Sequence, residues 1–299
     1  MWRSIVLASS AFVLAFAVKG QVKKQFSVER KQECQKVVLS LKAKTGNCFI
    51  RPSQNEDILN VYSNQDIEEY DHTFSNEIIG NVCAVKLSME PENMNGVSQR
   101  ISFKVFGANE RTYESDKYWK VYLAENTPYV LDLDYGLGNA NIDLSGLSIE
   151  KLKINTASAD INIGYNSLVE NKITMDTFSV KVDMGSLNAR QLNLAKSKVV
   201  VAEVGFGNML LDFSNKPSSA NHIIGSVGAG NLIIQLPEET VPVIVTINES
   251  WLCSIHLARS LKKIGPNKFS NAAYTKDSPN ALKFDLDVSM GKIVFRDKN

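Results

Sequence analysis

The sequence of 299 residues has little of the material that most ligand chemistry requires. It contains 3 histidines and 4 cysteines, and 33 Lys and Arg residues nearly balance 32 Asp and Glu residues. So few histidines and cysteines leave little for a metal cluster. The near-zero net charge excludes a broadly basic nucleic-acid surface, and the basic residues are not interleaved with aromatic residues. We therefore expect no metal and no nucleic-acid partner.

Signatures of common catalytic sites are also missing. The sequence contains no nucleophile elbow, no phosphate-binding loop and no His-Glu-x-x-His segment. Its Gly-x-Gly segments lack the third glycine of a dinucleotide fingerprint, and alternating residues follow them instead of a helix. We therefore predict a protein that is not an enzyme and has no cofactor. Acidic residues at outward positions, Asp132 and Asp160 among them, leave a polysaccharide lyase or glycosidase as the alternative.

No run of apolar residues after residue 20 is long enough to span a membrane. Within residues 1–20, Arg3 precedes the short apolar run 5–18. Small residues lie near the end of this run, at Ala17, and just after it, at Gly20. This order is typical of a secretory signal peptide. We predict a signal peptide over residues 1–20, cleaved after Ala17 or Gly20, and a mature chain outside the cytoplasm without a transmembrane segment. A retained N-terminal anchor helix is the alternative.

The cysteines all lie beyond the predicted signal peptide, at Cys34, Cys48, Cys83 and Cys253. Four cysteines allow three pairings, and sequence alone does not decide between them. Cys48 and Cys83 follow similar Gly-Asn segments, which favours a possible disulfide between them on stacked strands. The alternative is that each is a small buried apolar residue.

The most informative pattern is an internal repeat, in which Gly-Asn is followed by alternating apolar residues. It occurs at Gly46-Asn47, Gly80-Asn81, Gly138-Asn139, Gly207-Asn208 and Gly230-Asn231, and Gly136, Gly205 and Gly228 extend three of the copies. Alternation over five to eight residues predicts strands with one buried face. Copies recur every 21 to 23 residues. We predict an all-β, right-handed parallel β-helix-like solenoid with coils of that length.

The glycines and asparagines of the repeat fit the corners of such coils. Glycine reaches backbone angles that other residues avoid, and asparagine tolerates left-handed conformations. Asparagines stacked in register would form a ladder of side-chain amides. An ordinary hairpin turn is the alternative explanation of Gly-Asn.

The chain divides into three expected regions. A signal peptide over 1–20 is followed by an N-terminal β region over 21–118 and a solenoid region over 119–299, and whether the two β regions are continuous stays open. Within them, alternation over residues 58–62 indicates β structure, the remaining polar residues of 52–79 are interpreted as loops, and residues 257–281 as a surface excursion between late coils.

Two segments of the solenoid region carry a resemblance to known domains. They contain Tyr-Gly-Leu-Gly-Asn-Ala-Asn-Ile-Asp-Leu within 119–163 and Val-Gly-Ala-Gly-Asn-Leu-Ile-Ile-Gln-Leu-Pro within 227–247. These resemble the bacterial toast-rack and LiaF-like (cell-wall-active antibiotics response) domains and the related "putative adhesin" repeat domains of unknown function. The resemblance implies a parallel β-helix-like domain of a bacterial envelope protein, without established catalytic residues.

We therefore expect an exported bacterial cell-envelope protein, periplasmic, cell-surface or secreted, that acts as an adhesion or binding module. Its expected partner is an envelope protein or a glycan. LiaF-like members modulate envelope stress signalling and usually carry membrane helices, which this sequence lacks. Stress signalling is therefore a further alternative, beside the polysaccharide-modifying enzyme.

Overall fold

A computed structural model of the protein describes residues 22–64, 70–91 and 118–298, so the predicted signal peptide lies outside the described residues. The described chain forms two large β-sheets and a short 3-10 helix, Leu192–Ala195. Within these ranges, no helix has the length and apolar character needed to cross a membrane.

The first sheet has 11 strands. In spatial order they are β1 (Lys23–Val28), β4 (Leu59–Ser63), β7 (Tyr118–Ala124), β3 (Asn47–Ser53), β9 (Asn139–Asp143), β11 (Asp160–Gly164), β13 (Ser186–Ala189), β15 (Asn208–Asp212), β17 (Asn231–Gln235), β23 (Lys292–Arg296) and β19 (Ser254–His256).

The second sheet has 12 strands. Their spatial order is β20 (Lys262–Gly265), β21 (Lys268–Ser270), β18 (Val243–Glu249), β22 (Leu282–Val288), β16 (Asn221–Val227), β14 (Ser197–Val204), β12 (Met175–Val182), β10 (Ser148–Thr156), β8 (Pro128–Tyr135), β2 (Lys36–Ala43), β6 (Val82–Pro91) and β5 (Tyr70–Ile79).

From β8 to β17 the chain alternates between the two sheets, and each strand pairs in parallel with the strand one coil away. The predicted all-β, β-helix-like solenoid is therefore confirmed. The register advances by 21 residues from Asn139 to Asp160, 26 to Ser186, 22 to Asn208 and 23 to Asn231. Three of these steps have the expected length, and the step of 26 is longer because of the extended turn after β11.

Period-two alternation places one face of every coil in a shared core. In β22, Leu282, Phe284, Leu286 and Val288 are buried and the residues between them are exposed. Inward side chains of both sheets form one continuous cluster. Burying a Phe or Leu side chain stabilises the fold by about 1.5–3 kcal/mol, so the core is the main source of stability.

The coils do not stack in the order of the chain at either end. The last coil, β22–β23, lies between the β16–β17 coil and the β18–β19 coil. Near the other end, the β2–β3 coil lies between β6–β7 and β8–β9. At each end, therefore, a segment distant in sequence completes the stack.

Antiparallel strands cover the two ends of the solenoid. At one end β4 pairs antiparallel with β1 and β7, and β5 with β6; at the other, β21 pairs antiparallel with β18 and β20. Two expectations are thereby corrected, since most of β5 falls in the predicted loops of 52–79 and the β20–β21 hairpin falls in the predicted excursion of 257–281. An edge strand faces solvent and needs less apolar alternation, so its pattern resembles that of a loop.

Buried asparagines occupy the corner at which the chain returns from the first sheet to the second. The side chain of Asn171 accepts from the backbone N–H of Ile149 (2.8 Å) and donates to the carbonyls of Ile149 (2.7 Å) and Ile173 (2.8 Å). Asn271 similarly accepts from Val243 N–H at 3.0 Å. These amides replace backbone partners that the turning chain cannot supply.

The disulfide differs from the expected one. Cys34, in the turn before β2, is bonded to Cys83 on β6, with Cα atoms 5.5 Å apart. Cys48 is a free, buried thiol on β3, in the other sheet. The expected Cys48–Cys83 pairing is therefore wrong, because the two similar Gly-Asn segments lead into strands of different sheets. For Cys48 the alternative of a small buried residue applies.

Iodoacetamide should label only one thiol of the native protein, Cys253, and a second, Cys48, only in urea. Burial raises the pKa of the Cys48 thiol from 9.0 to about 12, so its reactive thiolate is suppressed at neutral pH. Because the folded-state pKa is the higher one, the contribution of this thiol to stability is complete below pH 9 and is lost as the pH rises toward 12. Labelling can be followed by mass spectrometry.

The control for that experiment is Cys253→Ser, which should leave no rapidly labelled thiol in the native protein. Rapid labelling of Cys34 or Cys83 without a reductant would contradict the disulfide.

Candidate functional site

The chain passes from the second sheet to the first at one edge of the solenoid, which we call the glycine corner. It comprises residues 44–46, 136–138, 157–159, 183–185, 205–207, 228–230, 289–291 and 250–253. Backbone hydrogen bonds continue through it from coil to coil. The N–H of Asn208 donates to Gly185 O and that of Asn231 to Gly207 O, each at 3.0 Å. The corner therefore stacks as tightly as the strands.

In most coils that tight stacking leaves no room for a side chain at the last corner position; the exceptions are the β10–β11 coil, which has Ala159 there, and the β18–β19 coil, which has Cys253. A Cβ on Gly138 would lie 2.1 Å from Gly46 O, one on Gly207 2.3 Å from Gly185 O, and one on Gly230 2.2 Å from Gly207 O. Such contacts are far inside van der Waals distance, so glycine is required by backbone packing.

The other predicted corner residues lie at the same edge, with one exception. Gly136, Gly205 and Gly228 begin their corners, and a Cβ on Gly136 would lie 2.4 Å from Lys44 O. The exception is Gly80-Asn81, which forms the antiparallel hairpin between β5 and β6; nothing lies within 4 Å of a Cβ there. The hairpin alternative is therefore the correct one for this pair.

Two further glycines have the same role and escaped the sequence pattern. A Cβ on Gly185 would lie 2.2 Å from Ala159 O, and one on Gly291 2.3 Å from Gly230 O. Ser186 and Lys292 follow them, so the Gly-Asn signature is absent. A glycine at the start of each alternating segment was the signal that would have found them.

Some of the asparagines that follow the glycine corner form hydrogen bonds with each other, as in an amide ladder. Asn139 Nδ2 donates to Asn47 Oδ1 at 3.1 Å, and Asn231 Nδ2 donates to Asn208 Oδ1 at 2.7 Å. Between these pairs the register holds Asp160 and Ser186, whose hydroxyl donates to the carboxylate at 2.5 Å. The ladder therefore consists of two amide pairs separated by a Ser–Asp pair.

Apolar side chains project from the glycine corner into solvent. We call this set the apolar corner row: it consists of Met184 (65% exposed), Phe206 (75%), Ala229, Met290 (58%), Trp251 (90%) and Leu252 (50%). Consecutive coils contribute one position each, except that β18–β19 contributes two. With neighbouring strands about 4.8 Å apart, the row extends over roughly 19 Å.

Folding does not require large apolar residues at these positions. Ser158 occupies the equivalent corner position in the β10–β11 coil, where its N–H donates to Gly136 O at 2.9 Å. Ala229 occupies it in another coil. A contiguous exposed apolar strip on a protein surface marks an interaction site more often than a structural need.

The borders of the apolar corner row differ in charge. On the side of the second sheet lie the exposed carboxylates of Asp183, Asp287 and Glu249, which have no ion pair within the described part of the chain. On the side of the first sheet lie neutral Asn and Ser side chains such as Asn208 and Asn231. The row is thus apolar with one acidic border.

The acidic residues considered for catalysis do not converge. Asp132, on the outer face of the second sheet, pairs with Lys153 at 3.8 Å. Asp160 is on the outer face of the first sheet, where it is bonded to Ser186. The two carboxylates therefore face opposite sides of the solenoid, and together they cannot form an acid–base pair across one substrate.

The outer face of the second sheet is dominated by ion pairs. Lys198 Nζ lies 2.7 Å from Asp176 Oδ1, and this hydrogen bond lowers the pKa of the Asp176 carboxyl. His222 Nε2 lies 2.6 Å from Asp285 Oδ2. Across the residues that the structure describes, no group of three or more His, Cys, Asp or Glu side chains could hold a metal ion.

The fold and this surface define a parallel β-solenoid with a backbone-packed glycine corner and an apolar strip along it. Residues 17–185 match the model of the family described as the N-terminal domain of toast_rack, DUF2154. The match covers more than half of the chain, which therefore belongs to this family, and the resemblance to toast-rack domains is confirmed. No curated protein matches the chain.

Solved structures with some likeness to the chain come from three bacteria. A "putative cell adhesion protein" from Clostridium sporogenes ATCC 15579 is 15% identical, with a TM-score of 0.44, over 93% of this chain and 100% of that chain. A "putative adhesin" from Bacteroides fragilis NCTC 9343 is 12% identical, with a TM-score of 0.32, over 93% and 97%. A "putative lipid binding protein" from Parabacteroides distasonis ATCC 8503 is 9% identical, with a TM-score of 0.31, over 93% and 96%.

Gly230→Ala and Gly207→Ala should each lower the free energy of unfolding by about 1–3 kcal/mol, because the added Cβ meets a backbone carbonyl that can move only with its coil. Gly265→Ala is the matched control, since its Cβ would lie 3.8 Å from the nearest atom, Lys268 Cβ. Urea denaturation measures the difference. Equal midpoints for Gly230→Ala and Gly265→Ala would refute the packing requirement.

Proposed function

We propose that the protein is an exported, non-enzymatic binding module of the bacterial cell envelope, and that the apolar corner row is its contact surface for an envelope protein. The observation that carries this proposal is the alignment of five large exposed apolar side chains on a corner where folding accepts serine. Membership of the toast_rack family and the predicted signal peptide support the location.

The composition of the row favours a protein partner. Met, Phe and Trp are enriched at protein interfaces, and a few such residues supply most of the binding free energy. The side chains of the row are exposed at a corner of the solenoid, so a partner would receive them in an apolar groove. The carboxylates of Asp183, Asp287 and Glu249 would then face basic residues beside that groove.

The non-enzymatic part of the proposal is supported by the placement of the acidic residues. An enzyme that cleaves polysaccharide with two carboxylates needs both of them in one cleft, flanking the bond that is cleaved and within about 10 Å of each other. Asp132 and Asp160 face opposite sides, and each already has a partner.

Replacing Met184, Phe206 and Met290 together by serine should weaken retention of the mature protein on isolated envelopes by at least about tenfold, since interface anchors each contribute about 1–2 kcal/mol or more. Stability should stay within about 0.5 kcal/mol, because the positions are exposed. Retention is measured by sedimentation with envelopes from a strain that lacks the protein.

Ile264→Ser is the control for the triple variant, since Ile264 is 55% exposed but lies in the β20–β21 hairpin outside the row. Protease treatment of the envelopes should abolish retention of the unmodified protein, and higher salt should weaken it. Unchanged retention of the triple variant, or retention that survives protease, would contradict the assignment of this surface to a protein partner.

Export makes a separate prediction. The protein should be recovered from the periplasmic, surface or secreted fraction with a new N-terminus after Ala17 or Gly20, as mass spectrometry of the intact chain would show. An uncleaved chain in the cytoplasmic fraction would contradict it.

A further inference from the structure

A polar depression opens on the outer face of the first sheet, away from the apolar corner row. Its volume is about 220 Å³, and its lining residues are Asn141, Ile142, Asn162, Ile163, Asn166 and Arg190. The isoleucine side chains are buried in the core, so three carboxamides and one guanidinium face the opening. Pockets for drug-sized ligands measure about 300–1,000 Å³, so this one suits a single small unit.

The depression is built by the longest step of the solenoid. Asn141 and Asn162 are register partners on β9 and β11. The extended turn after β11 carries Asn166, whose N–H donates to Asp143 Oδ1 at 3.3 Å and so holds it at the rim. Gly164 is the register neighbour of Arg190 in the stack, and the two lie in close contact, since a Cβ on Gly164 would be 2.8 Å from Arg190 O.

Arg190 has no partner for its charge. Among the described residues its guanidinium forms no ion pair and no hydrogen bond. Nearby carboxylates are occupied by their own turns, since Asp143 accepts from Ser145 Oγ at 2.6 Å and Asp212 from Ser214 N–H at 2.8 Å. Arg30 contrasts with it, because Arg30 donates to Thr127 Oγ1 at 2.9 Å.

We propose that Arg190 and its surrounding amides bind a carboxylate-bearing sugar unit of an acidic polysaccharide, an inference that rests on the proposed function as a binding module. A guanidinium receives a carboxylate in a two-pronged hydrogen bond. A carboxamide both donates and accepts, which suits sugar hydroxyls. Asn141 and Asn166 provide two such groups, and Asn162 adds its Nδ2 donor, since its Oδ1 already accepts from Asn188 Nδ2 at 3.2 Å.

An acidic peptide fits the depression less well. Acidic peptides are recognised by clusters of several arginines, and extended peptides by pairing with a free sheet edge. This depression has a single arginine among its lining residues, and its strands are paired on both sides. Because the depression is open along the sheet, a polymer could continue beyond the bound unit.

The test uses a tetrasaccharide of galacturonic acid, titrated calorimetrically into the mature protein at low salt. Arg190→Gln should weaken binding by about tenfold or more, because a hydrogen bond to a charged group contributes about 1.5–3 kcal/mol. Arg190→Lys should bind with intermediate affinity, since lysine keeps the positive charge but cannot form the two-pronged hydrogen bond of a guanidinium. Arg259→Gln, an exposed arginine outside this face, should bind as the unmodified protein does.

Four results would overturn the proposal: no binding of the tetrasaccharide by the unmodified protein, equal binding of its methyl ester, equal binding of a tetraglutamate peptide, or unchanged tetrasaccharide affinity of Arg190→Gln. Because Arg190 is exposed, its variants should have the same melting temperature as the unmodified protein. If Arg190→Gln leaves the tetrasaccharide affinity unchanged while the corner-row variant loses envelope retention, the glycan site fails and the proposed function stands. If neither variant shows its expected effect, both the glycan site and the proposed function are rejected. If only the tetrasaccharide affinity falls, the glycan site stands and the apolar corner row is rejected.

Discussion

The approach of backbone to backbone at the glycine corner is the constraint on which the structure depends. In most coils the chain turns without a Cβ, because the carbonyl of the neighbouring coil occupies that place at Gly138, Gly207 and Gly230. In this arrangement the middle residue of the corner is free to point outward. That freedom is what allows Phe206 to be exposed without a cost to packing.

The outer surfaces of the solenoid differ in their chemistry. Only every second residue of a strand points into the core, so the outward-facing residues are not restricted to apolar types. The outer face of the second sheet carries ion pairs such as Lys198–Asp176, which keep it solvated. That of the first sheet carries amides, and the glycine corner carries apolar side chains. At the opposite corner, buried asparagines such as Asn171 form hydrogen bonds with backbone groups. A binding module built this way can present different ligand chemistries without changing its core.

Much of this could be predicted from the sequence, and the failures have physical causes. Alternation predicted the strands of the central coils because period two follows directly from strand geometry. Gly-Asn predicted the corners at Gly138, Gly207 and Gly230 but also selected Gly80, because a hairpin and a solenoid corner both need a flexible residue. The apolar corner row was not predicted, since Met184 and Met290 continue the apolar pattern of their strands and only their exposure distinguishes them.

The sequence by itself determined the strand pattern, the period of the coils, the glycine corners and the family. Tertiary structure alone decided which strands are neighbours. Parallel coils of similar length and similar inward residues are nearly interchangeable as partners, so nothing local places the β22–β23 coil inside β18–β19, or β2–β3 inside β6–β7. The same holds for Cys34–Cys83 and for the amides around Arg190, because contacts across the stack depend on register, which only the assembled sheets define.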